Sequence, residues 1–426
     1  MGQKIYPNLT MKELDLNTLF TAALKAADPY PVIPSYLPKS VKGRIVVVGA
    51  GKASARMAMA VEEHFGDCSG VIVVPKGSIS GSKRIKTVFA AHPVPDLSSE
   101  RAAQILVETV SNLREEDLVI ALISGGGSSL VTMPPRGITL LDKQKLTTDL
   151  LRCGASIGEI NLVRQSLSEI KGGGLARAAA PATILTLIVS DVPGNDPSLV
   201  ASGPTILAPR KSARALSILK KYEVIPPKTV YDYLVANPEQ RWNTPKNSDY
   251  HVVLTGAQML LKVQKSLQKR GFSVINLGDA VEGEAQNIAG LHAKKLLSAP
   301  PGTVLLSGGE LTVKLSESLP RKGGRNTEYL LALALEVENR GHLHAIACDT
   351  DGIDGSSIAA GAIIDPQTLP KMRRAGINPR SFLNAHASAE AFELVKALIV
   401  TGSTGTNLND FRCAFLNTSS ERIFSL

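Results

Sequence analysis

Short apolar runs alternate with amphipathic helical patterns along this chain. The runs at residues 44–49, 71–74, 119–123 and 183–190 are rich in Val, Ile and Leu and are too short for helices, so they predict buried strands. Apolar residues at helical spacing, first seen at residues 11–27, predict helices before and between these strands. Such alternation is typical of a doubly wound, mainly parallel sheet.

The same alternation starts again after a polar stretch at residues 238–249 that holds the single Trp. Further strands are predicted at residues 251–254, 272–277, 303–306 and 344–348. We therefore predict two α/β/α domains, residues 1–240 and residues 241–426, of which the first contains a Rossmann-like sheet.

Several of the predicted strands end in glycines or polar residues. These ends lie at residues 49–52, 124–129, 191–196, 307–310 and 349–354. Open α/β sheets bind ligands outside the carboxyl ends of their strands. We therefore expect the functional site to be built from these segments.

The strand at residues 119–123 runs into a loop of three glycines and three serines. Glycines expose backbone N–H groups to a ligand, and amides that point the same way bind anions. The loop is not a Walker A motif, because Ser128 stands where that motif needs a lysine. Phosphate binding by this loop competes with a simpler interpretation, a strand-to-helix turn that needs glycines for its geometry.

Residues 48–54 begin like a dinucleotide-binding fingerprint but do not complete it. Ser54 occupies the third glycine position, and Lys76 stands near the end of the next strand, where an acidic residue is expected. Nicotinamide binding is therefore weakly supported. Lys52, at the start of a predicted helix, suits a cation that faces a phosphate, although it could also be a solvated surface lysine.

Three further side chains are candidates for ligand binding or catalysis. Arg164 and Lys171 could bind a carboxylate or a phosphate, or could be the charged face of a helix and its glycine cap. Asp191 follows a strong apolar strand and is placed to bind a metal or accept a proton, unless it only forms a turn. Arg325 at a helix start opposes the helix dipole, and such local conflicts indicate function.

Carboxylates cluster after the predicted strand at residues 344–348. Asp349, Asp351 and Asp354 alternate with glycines at a spacing that does not fit an EF-hand loop. One or two of them could bind Mg²⁺, which prefers a few carboxylates together with water and phosphate. The alternative is a solvated Asp/Gly turn.

Composition excludes several other classes of protein. With 44% hydrophobic and 20% charged residues, the chain is an ordinary globular protein, and no segment is apolar enough to span a membrane. The net charge is +9, but basic residues are dispersed and aromatic residues make up only 4%, so we expect anionic metabolites rather than nucleic acid as partners. The four scattered cysteines predict free thiols in a reducing compartment, and the polar N-terminus shows no signal peptide, so we expect a cytoplasmic protein. We expect a monomer or a homodimer, a choice that the sequence does not decide.

Eight motifs in order resemble those of the glycerate 2-kinases that combine a glycerate kinase domain with a MOFRL domain. They are VVVGAGKAS, ISGGGSSL, NLVRQSLSEIKGGGLA, SDVPGNDPSLVASGPT, LLSGGELTV, GGRNTEYLLALAL, CDTDGIDG and TGTNLNDF. The resemblance implies ATP-dependent, Mg²⁺-requiring phosphorylation of D-glycerate at its 2-hydroxyl, in a cleft between two domains. It also implies that Lys52 and Arg325 are catalytic.

The candidate residues follow from the strand ends and this resemblance. Catalysis is assigned to Lys52, Arg325 and Asp191. Substrate or phosphate binding is assigned to Gly51, Ser124, Gly125, Gly126, Gly127, Ser128, Ser129, Arg164, Lys171, Asn195, Ser307, Gly308, Gly309 and Asn326. Metal binding is assigned to Asp191, Glu310, Asp349 and Asp351. The alternatives are an NAD(P)H-dependent hydroxypyruvate reductase and a non-catalytic binder of anionic metabolites.

Overall fold

The structure is a computed structural model that describes residues 14–240, 248–300, 302–314 and 322–417. The chain divides into two compact units. The first unit is Asp28–Leu254, and the second consists of the residues up to Ala27 together with those from Thr255 onward. The predicted division after residue 240 therefore differs from the structural one, and part of the predicted polar boundary, residues 241–247, lies outside the described residues.

The first helix, α1 (Leu16–Ala26), is the main departure from the predicted domains, because it packs with the second unit. The Phe20 ring stacks on Phe411 with a centroid distance of 6.0 Å. Thr406 Oγ1 donates a hydrogen bond of 2.6 Å to the Ala27 carbonyl oxygen. Sequence order alone assigned α1 to the first domain, whereas its Phe20 ring packs on Phe411, which is 391 positions away.

The first unit contains eight strands, eight α-helices and three short 3₁₀ helices, at Ile33–Tyr36, Pro193–Asn195 and Val200–Ser202, among its described residues. The strands are β1 (Ile45–Ala50), β2 (Ser69–Pro75), β3 (Ile85–Ala90), β4 (Leu118–Ser124), β5 (Thr183–Ser190), β6 (Arg210–Lys211), β7 (Glu239–Gln240) and β8 (Ser248–Thr255), which ends at the unit boundary. The helices are α2 (Ser54–Phe65), α3 (Leu97–Val110), α4 (Gly127–Leu130), α5 (Leu140–Arg152), α6 (Ile157–Ser166), α7 (Gly174–Ala178), α8 (Ser212–Lys221) and α9 (Lys228–Ala236).

Six of these strands form a sheet in the order β3-β2-β1-β4-β5-β8. The neighbouring pairs from β3 to β5 are all parallel. This is the order of a doubly wound Rossmann-type sheet, so the predicted fold class is confirmed. The order reverses between β1 and β4, and the register pairs Ala50 with Ile123, which places the two strand ends side by side at the usual ligand position.

The apolar runs form strands because both faces of the sheet are covered. All seven residues of β4 are buried, as are seven of the eight in β5. By contrast, β3 was not predicted, because it lies at the sheet edge and mixes buried with exposed residues. Helices α5, α6, α8 and α9 enclose a separate apolar core around Leu150 and Val163, and α6 carries Arg164.

The second unit has its own strands and helices. The strands are β9 (Ser273–Asn276), β10 (Gly283–Glu284), β11 (Thr303–Ser307), β12 (Leu311–Thr312), β13 (His342–Asp349), β14 (Gly361–Ile364), β15 (Leu398–Ile399) and β16 (Asp410–Asn417). Besides α1, the helices are α10 (Gly256–Lys269), α11 (Ala285–Ser298), α12 (Arg325–Glu336), α13 (Thr368–Arg374), α14 (Pro379–Asn384) and α15 (Ser388–Leu394).

The sheet of the second unit is mixed, in the order β15-β14-β13-β16-β11-β9. Strands β9 and β11 are parallel, whereas β16 runs antiparallel to both of its neighbours, β11 and β13. The sequence pattern did not predict β16, because Asp410 and Arg412 interrupt its apolar residues, yet both of these side chains are buried. In the part of the chain that the structure describes, no helix is long and apolar enough to cross a membrane.

Candidate active site

The turn between β1 and α2 lies against the end of β4. The Lys52 N–H donates to the Gly125 carbonyl oxygen at 2.9 Å, and the Ala53 N–H donates to Ser124 Oγ at 3.0 Å. A Cβ on Gly51 would lie 2.1 Å from Ser124 Oγ, so this approach requires glycine. In Rossmann sites the donors of this turn bind a pyrophosphate. Here the two donors of Lys52 and Ala53 are engaged within the protein.

The glycine loop after β4 lies beside the Lys52 side chain. Gly126 has φ +81°, a conformation that residues with side chains rarely adopt, and it is the N-cap of the short helix α4. A Cβ on Gly126 would lie 3.4 Å from Lys52 Cε and 3.1 Å from two ring atoms of His92. Because Gly126 has no side chain, the loop can lie directly beside the Lys52 side chain. The glycine loop and Lys52 were both predicted to face a phosphate, and such a shared site requires them to be neighbours.

Ser128 is the centre of a cluster that draws on three segments distant in sequence. Its Oγ lies 2.8 Å from Lys171 Nζ and 2.8 Å from Ser202 Oγ. Lys171 Nζ also donates to the Ser128 carbonyl oxygen, and Arg164 Nη2 donates to the same oxygen at 3.4 Å. The Gly172 N–H donates to the Ser202 carbonyl oxygen at 3.0 Å, which holds the segments together. The predicted residues Ser128, Arg164 and Lys171 thus lie in contact.

Basic side chains are concentrated in this cluster. Burial lowers the pKa of the Lys171 amine well below its ordinary value, and the charges of Arg164 and Lys143 lower it further. Burial also lowers the pKa of Arg164. Within the described residues, no carboxylate lies at ion-pair distance from Lys171 or Arg164. An anionic ligand would therefore supply the negative charge that no nearby carboxylate provides.

A cavity of about 170 Å³ adjoins the cluster on the side of α6. Its polar lining includes Asn161, Gln165, Ser166, Lys171, Ser198 and Lys211. Gln165 Nε2 donates to the Ser198 and Ser202 carbonyl oxygens at 3.1 and 3.3 Å, so the cavity wall is continuous with the backbone of the Ser202 turn.

The remaining predicted residues of the first unit lie after β5. Asp191 directly follows this strand and is half-buried. Asn195 has a positive φ of 57°, and its buried Oδ1 has no hydrogen-bond partner among the described residues. The catalytic and metal-binding roles of Asp191 and the binding role of Asn195 stay predictions.

In the second unit, Arg325 is surrounded by carboxylates. Its Nε donates to Asp410 Oδ1 at 2.9 Å, its Nη2 to Asp349 Oδ2 at 2.6 Å and its Nη1 to Glu310 Oε1 at 2.6 Å. Burial disfavours the charged guanidinium, but attraction by Asp410, Asp349 and Glu310 outweighs burial and raises the pKa of Arg325. Three of its nitrogens are thus paired with protein carboxylates.

The turn of residues 307–309 is held by the buried Arg412. Arg412 Nε donates to Ser307 Oγ at 3.1 Å, Arg412 Nη2 donates to the Gly308 carbonyl oxygen, and Arg412 Nη1 donates to Asp410 Oδ2 at 2.8 Å. Gly309 has φ +92°, and a Cβ there would lie 2.4 Å from the Val281 carbonyl oxygen. These contacts give the predicted phosphate-binding turn a structural role, and its phosphate binding stays a prediction.

Asp354 caps the helix that begins at Arg325. Its carboxylate accepts hydrogen bonds of 2.9 Å from the N–H groups of Asn326 and Thr327 and one of 3.0 Å from Thr327 Oγ1. Burial raises the pKa of Asp354 to about 6. Asn326 Nδ2 donates to Asp410 Oδ1 at 2.7 Å, so Asn326 also belongs to this carboxylate network.

The carboxylates predicted to bind metal are used in other ways. Glu310 and Asp349 pair with Arg325, and Asp351 Oδ1 accepts the Ile353 N–H at 2.8 Å. Across the described ranges, no group of three or more His, Cys, Asp or Glu side chains has the geometry to hold a metal ion. Metal binding by the predicted set stays a prediction.

Several residues of these two clusters were not assigned from the sequence. Ser202 and Asp410 lie in two of the eight motifs, but the sequence around each residue does not indicate which distant side chains it contacts. Arg412 had a recognisable signal, since a charged residue inside an otherwise apolar strand is costly to bury unless it is paired. Asp354 was seen only as one of several turn carboxylates, and its capping of α12 depends on tertiary contact.

Comparison with known proteins shows the family of this chain. The profile of the family described as "Domain of unknown function (DUF4147)" matches residues 15–235, and that of the MOFRL family matches residues 303–410. A protein of Agrobacterium vitis with the provisional name hydroxypyruvate reductase is 44% identical over 94% of each chain. A Pyrococcus horikoshii protein named glycerate 2-kinase is 35% identical over 97% of this chain and 99% of its own. The crystal structure of a Thermotoga maritima glycerate kinase matches with a TM-score of 0.81 and 32% identity, covering 94% of this chain and 98% of its own.

The fold and the site define a two-unit α/β protein in which a glycine loop at a topological switch point adjoins a cation cluster. The chain belongs to the glycerate kinase family that combines a DUF4147 domain with a MOFRL domain. The family resemblance stated from the motifs is therefore confirmed.

Proposed function

We propose that this chain transfers a phosphoryl group from ATP to the 2-hydroxyl of D-glycerate and releases 2-phosphoglycerate and ADP. One observation carries the proposal: a protein named glycerate 2-kinase is 35% identical over nearly the full length of both chains. The carboxylate-free cluster of basic side chains beside the glycine loop supports it, because both substrates and both products are anions.

In this proposal, the Ser128 cluster binds an anionic group of a substrate. Arg164 remains charged despite burial, and an anion beside Lys171 would favour the protonated amine. Either the glycerate carboxylate or a phosphate of ATP satisfies this chemistry. The Ser128 hydroxyl adds a neutral hydrogen-bond donor.

The catalytic roles proposed for Lys52 and Arg325 follow from the needs of phosphoryl transfer. The transferred group carries charge over its oxygens, so cations that neutralise this charge lower the barrier. Lys52 lies beside Gly126, where a phosphate that approaches the glycine loop would meet it. Arg325 would act on the transition state only after exchanging at least one of its carboxylate partners for the substrate.

The proposed role of Asp191 is proton acceptance from the glycerate hydroxyl or binding of Mg²⁺. Mg²⁺ bound to ATP usually needs only one or two protein carboxylates, with the rest of its shell supplied by phosphate and water. The described carboxylates do not form a ready-made metal site, so we assign no reaction step to the metal. We also propose that the protein acts in the cytoplasm on small molecules.

Hydroxypyruvate reduction with NAD(P)H is the second candidate, because the Agrobacterium vitis relative carries that provisional name. Against it, the backbone donors of Lys52 and Ala53 are engaged by Gly125 and Ser124. Ser54 also breaks the glycine fingerprint.

A pair of coupled assays separates these candidates. With ATP, Mg²⁺ and D-glycerate, we expect ADP and 2-phosphoglycerate to form in equal amounts, and no NADH oxidation with hydroxypyruvate. The Lys52→Ala variant is expected to lose the first activity, whereas Lys221→Met, which removes an exposed lysine of α8, should retain it. NADH oxidation without glycerate phosphorylation would refute the kinase proposal. Binding of glycerate without turnover would instead support the non-catalytic alternative.

A further inference from the structure

Ser128 is flanked by a lysine and a second serine at hydrogen-bond distance. Its Oγ lies 2.8 Å from Lys171 Nζ on one side and 2.8 Å from Ser202 Oγ on the other. Lys171 and Ser202 are buried, whereas Ser128 is partly exposed. Of the three residues, Ser128 is therefore the one that a reagent can approach from solvent.

The surroundings of Lys171 favour its neutral amine. The charged groups that face it are Arg164 on α6 and Lys143 on α5, and both are cations. In the described part of the chain, no acidic side chain lies within ion-pair distance of Lys171. Burial together with these two charges lowers the pKa of the Lys171 amine well below its usual value. A neutral amine can accept the proton of a neighbouring hydroxyl.

The Ser202 turn holds the second serine in a fixed position. Ala201 and Ser202 both have positive φ values, 51° and 62°, which are uncommon for residues with side chains. The Gln165 side chain and the Gly172 N–H both bind the Ser202 carbonyl oxygen. This conformation directs the Ser202 hydroxyl to Ser128 Oγ, and strained residues of this kind cluster at functional sites.

We propose that Ser128 is a lysine-activated nucleophile that reacts with small carboxylic esters and with other acylating or phosphonylating electrophiles. Lys171 is the general base, and Ser202 is a positioning residue that fixes the Ser128 hydroxyl. Serine–lysine pairs perform acyl transfer on unrelated folds, so the chemistry depends on geometry rather than on fold. The activity is separate from phosphorylation of glycerate and requires neither ATP nor a metal.

Acyl transfer begins at the Ser128 hydroxyl. Ser128 Oγ forms a bond to the carbonyl carbon while its proton moves to Lys171 Nζ. Arg164, whose Nη2 donates to the Ser128 carbonyl oxygen, supplies positive charge near Ser128 as the oxyanion develops. The bond from this carbon to the alcohol oxygen then breaks, and Lys171 returns the proton to the departing alkoxide. Water hydrolyses the acyl-serine, which releases the carboxylic acid and restores the hydroxyl. With a fluorophosphonate, the Oγ–P bond forms, the P–F bond breaks, and fluoride and the proton leave.

The test is covalent labelling of the full-length protein by an alkyl fluorophosphonate, with the modified peptide located by mass spectrometry. We expect one label on Ser128 and a labelling rate lower by about 10²–10⁴-fold in Lys171→Met, the range that a general base typically contributes. Lys221→Met and Ser217→Ala, both on the surface of α8, are the matched controls and should label like the native chain.

The pH dependence of labelling shows whether Lys171 acts as a general base or only has a structural role. Because the neutral amine is the active form, the rate should rise with pH and level off well below the ordinary pKa of lysine. Ser202→Ala should lower the labelling rate but leave unchanged the pH at which the rate levels off, since the Lys171 amine still determines that pH. Hydrolysis of p-nitrophenyl acetate should show the same profile.

Three results would overturn the proposal. They are absence of label on Ser128 in the folded native protein, equal labelling of the native chain and Lys171→Met, and a rate that continues to rise up to the ordinary lysine pKa. The native protein alone decides the first and third results, so the test stands even if a variant fails to fold. Loss of the kinase reaction would not affect any of these readouts.

Discussion

The two units bury arginine and lysine side chains in opposite ways. In the first unit, Arg164 and Lys171 lie together with no carboxylate at ion-pair distance among the described residues, and burial lowers the pKa of both. In the second unit, Arg325 and Arg412 are paired with Asp410, and carboxylates raise the pKa of Arg325. The same residue types thus form an electrostatically incomplete site in one unit and a neutralised network in the other.

This difference distinguishes side chains that bind a ligand from side chains that stabilise the fold. A buried cation without a carboxylate weakens the folded state, and such a cost is retained where a ligand supplies the missing charge. A buried cation with several carboxylates holds its neighbours in place, and removing one partner leaves an uncompensated charge. We therefore expect substitutions in the first unit to affect ligand binding and those in the second unit to affect stability as well.

The largest effect is expected on kcat when either proposed catalytic cation, Lys52 or Arg325, is removed. Lys52→Ala and Arg325→Ala should each lower the kcat of glycerate phosphorylation by about 10³-fold or more, because each cation would stabilise the transferred phosphoryl group. Only Arg325→Ala should also lower the free energy of unfolding, by about 3–5 kcal/mol, since it removes a cation that pairs with the buried carboxylates of Asp349 and Asp410. Steady-state kinetics and urea denaturation measure the two effects. A fully active Lys52→Ala or Arg325→Ala variant would contradict the assigned role.

The next effect concerns the carboxylate that joins the two arginines. Asp410→Asn should lower the free energy of unfolding by about 3–5 kcal/mol, because Arg412 is buried and keeps no other carboxylate partner among the described residues. Glu338→Gln is the control, since its partner Arg373 is exposed, and it should cost less than about 1 kcal/mol. Equal effects in a urea titration would show that burial of the pair is irrelevant.

A pH-dependent effect should follow from Asp354. Its folded-state pKa is about 6, raised from 3.8, so the folded protein holds this proton more tightly than the unfolded chain does. Relative to Asp354→Asn, the native protein should therefore lose on the order of 2–3 kcal/mol of stability as pH rises from about 4 to about 6. Melting temperatures across this range test the prediction.

Asp15, which caps α1, provides the control for Asp354. Hydrogen bonding by Thr18 lowers the pKa of Asp15, so this carboxylate is ionised more readily in the folded state. Its contribution to stability should be lost as pH falls, which is the opposite direction to Asp354. If the Asp15→Asn and Asp354→Asn differences had the same sign, the assigned pKa directions would be wrong.

The smallest effect is expected at Lys171. Lys171→Met keeps the volume of the side chain and removes a buried amine, so we expect the free energy of unfolding to rise, by less than about 1.5 kcal/mol. Glycerate or phosphate affinity should fall in the same variant, as titration calorimetry would show. A large loss of stability would indicate that Lys171 supports the fold in the way that Arg325 does.

Much of the first unit was predictable because local pattern and tertiary burial agree. The apolar run at residues 183–190 is observed as β5 with the same bounds, since both faces of this strand are covered. The position of the glycine loop after β4 could be predicted for the same reason. Strands with mixed composition, such as β3 and β16, could not be predicted, because their burial depends on neighbours elsewhere in the chain.

The sequence by itself determined which residues stand at the carboxyl ends of the strands and which motifs they form. Only the tertiary structure decided their partners. Ser128 and Ser202 are 74 positions apart, and Arg325 and Asp410 are 85 apart, so no local pattern could pair them. Strand order and register bring these side chains together, and burial then determines whether a cation is left for a ligand or neutralised by a carboxylate.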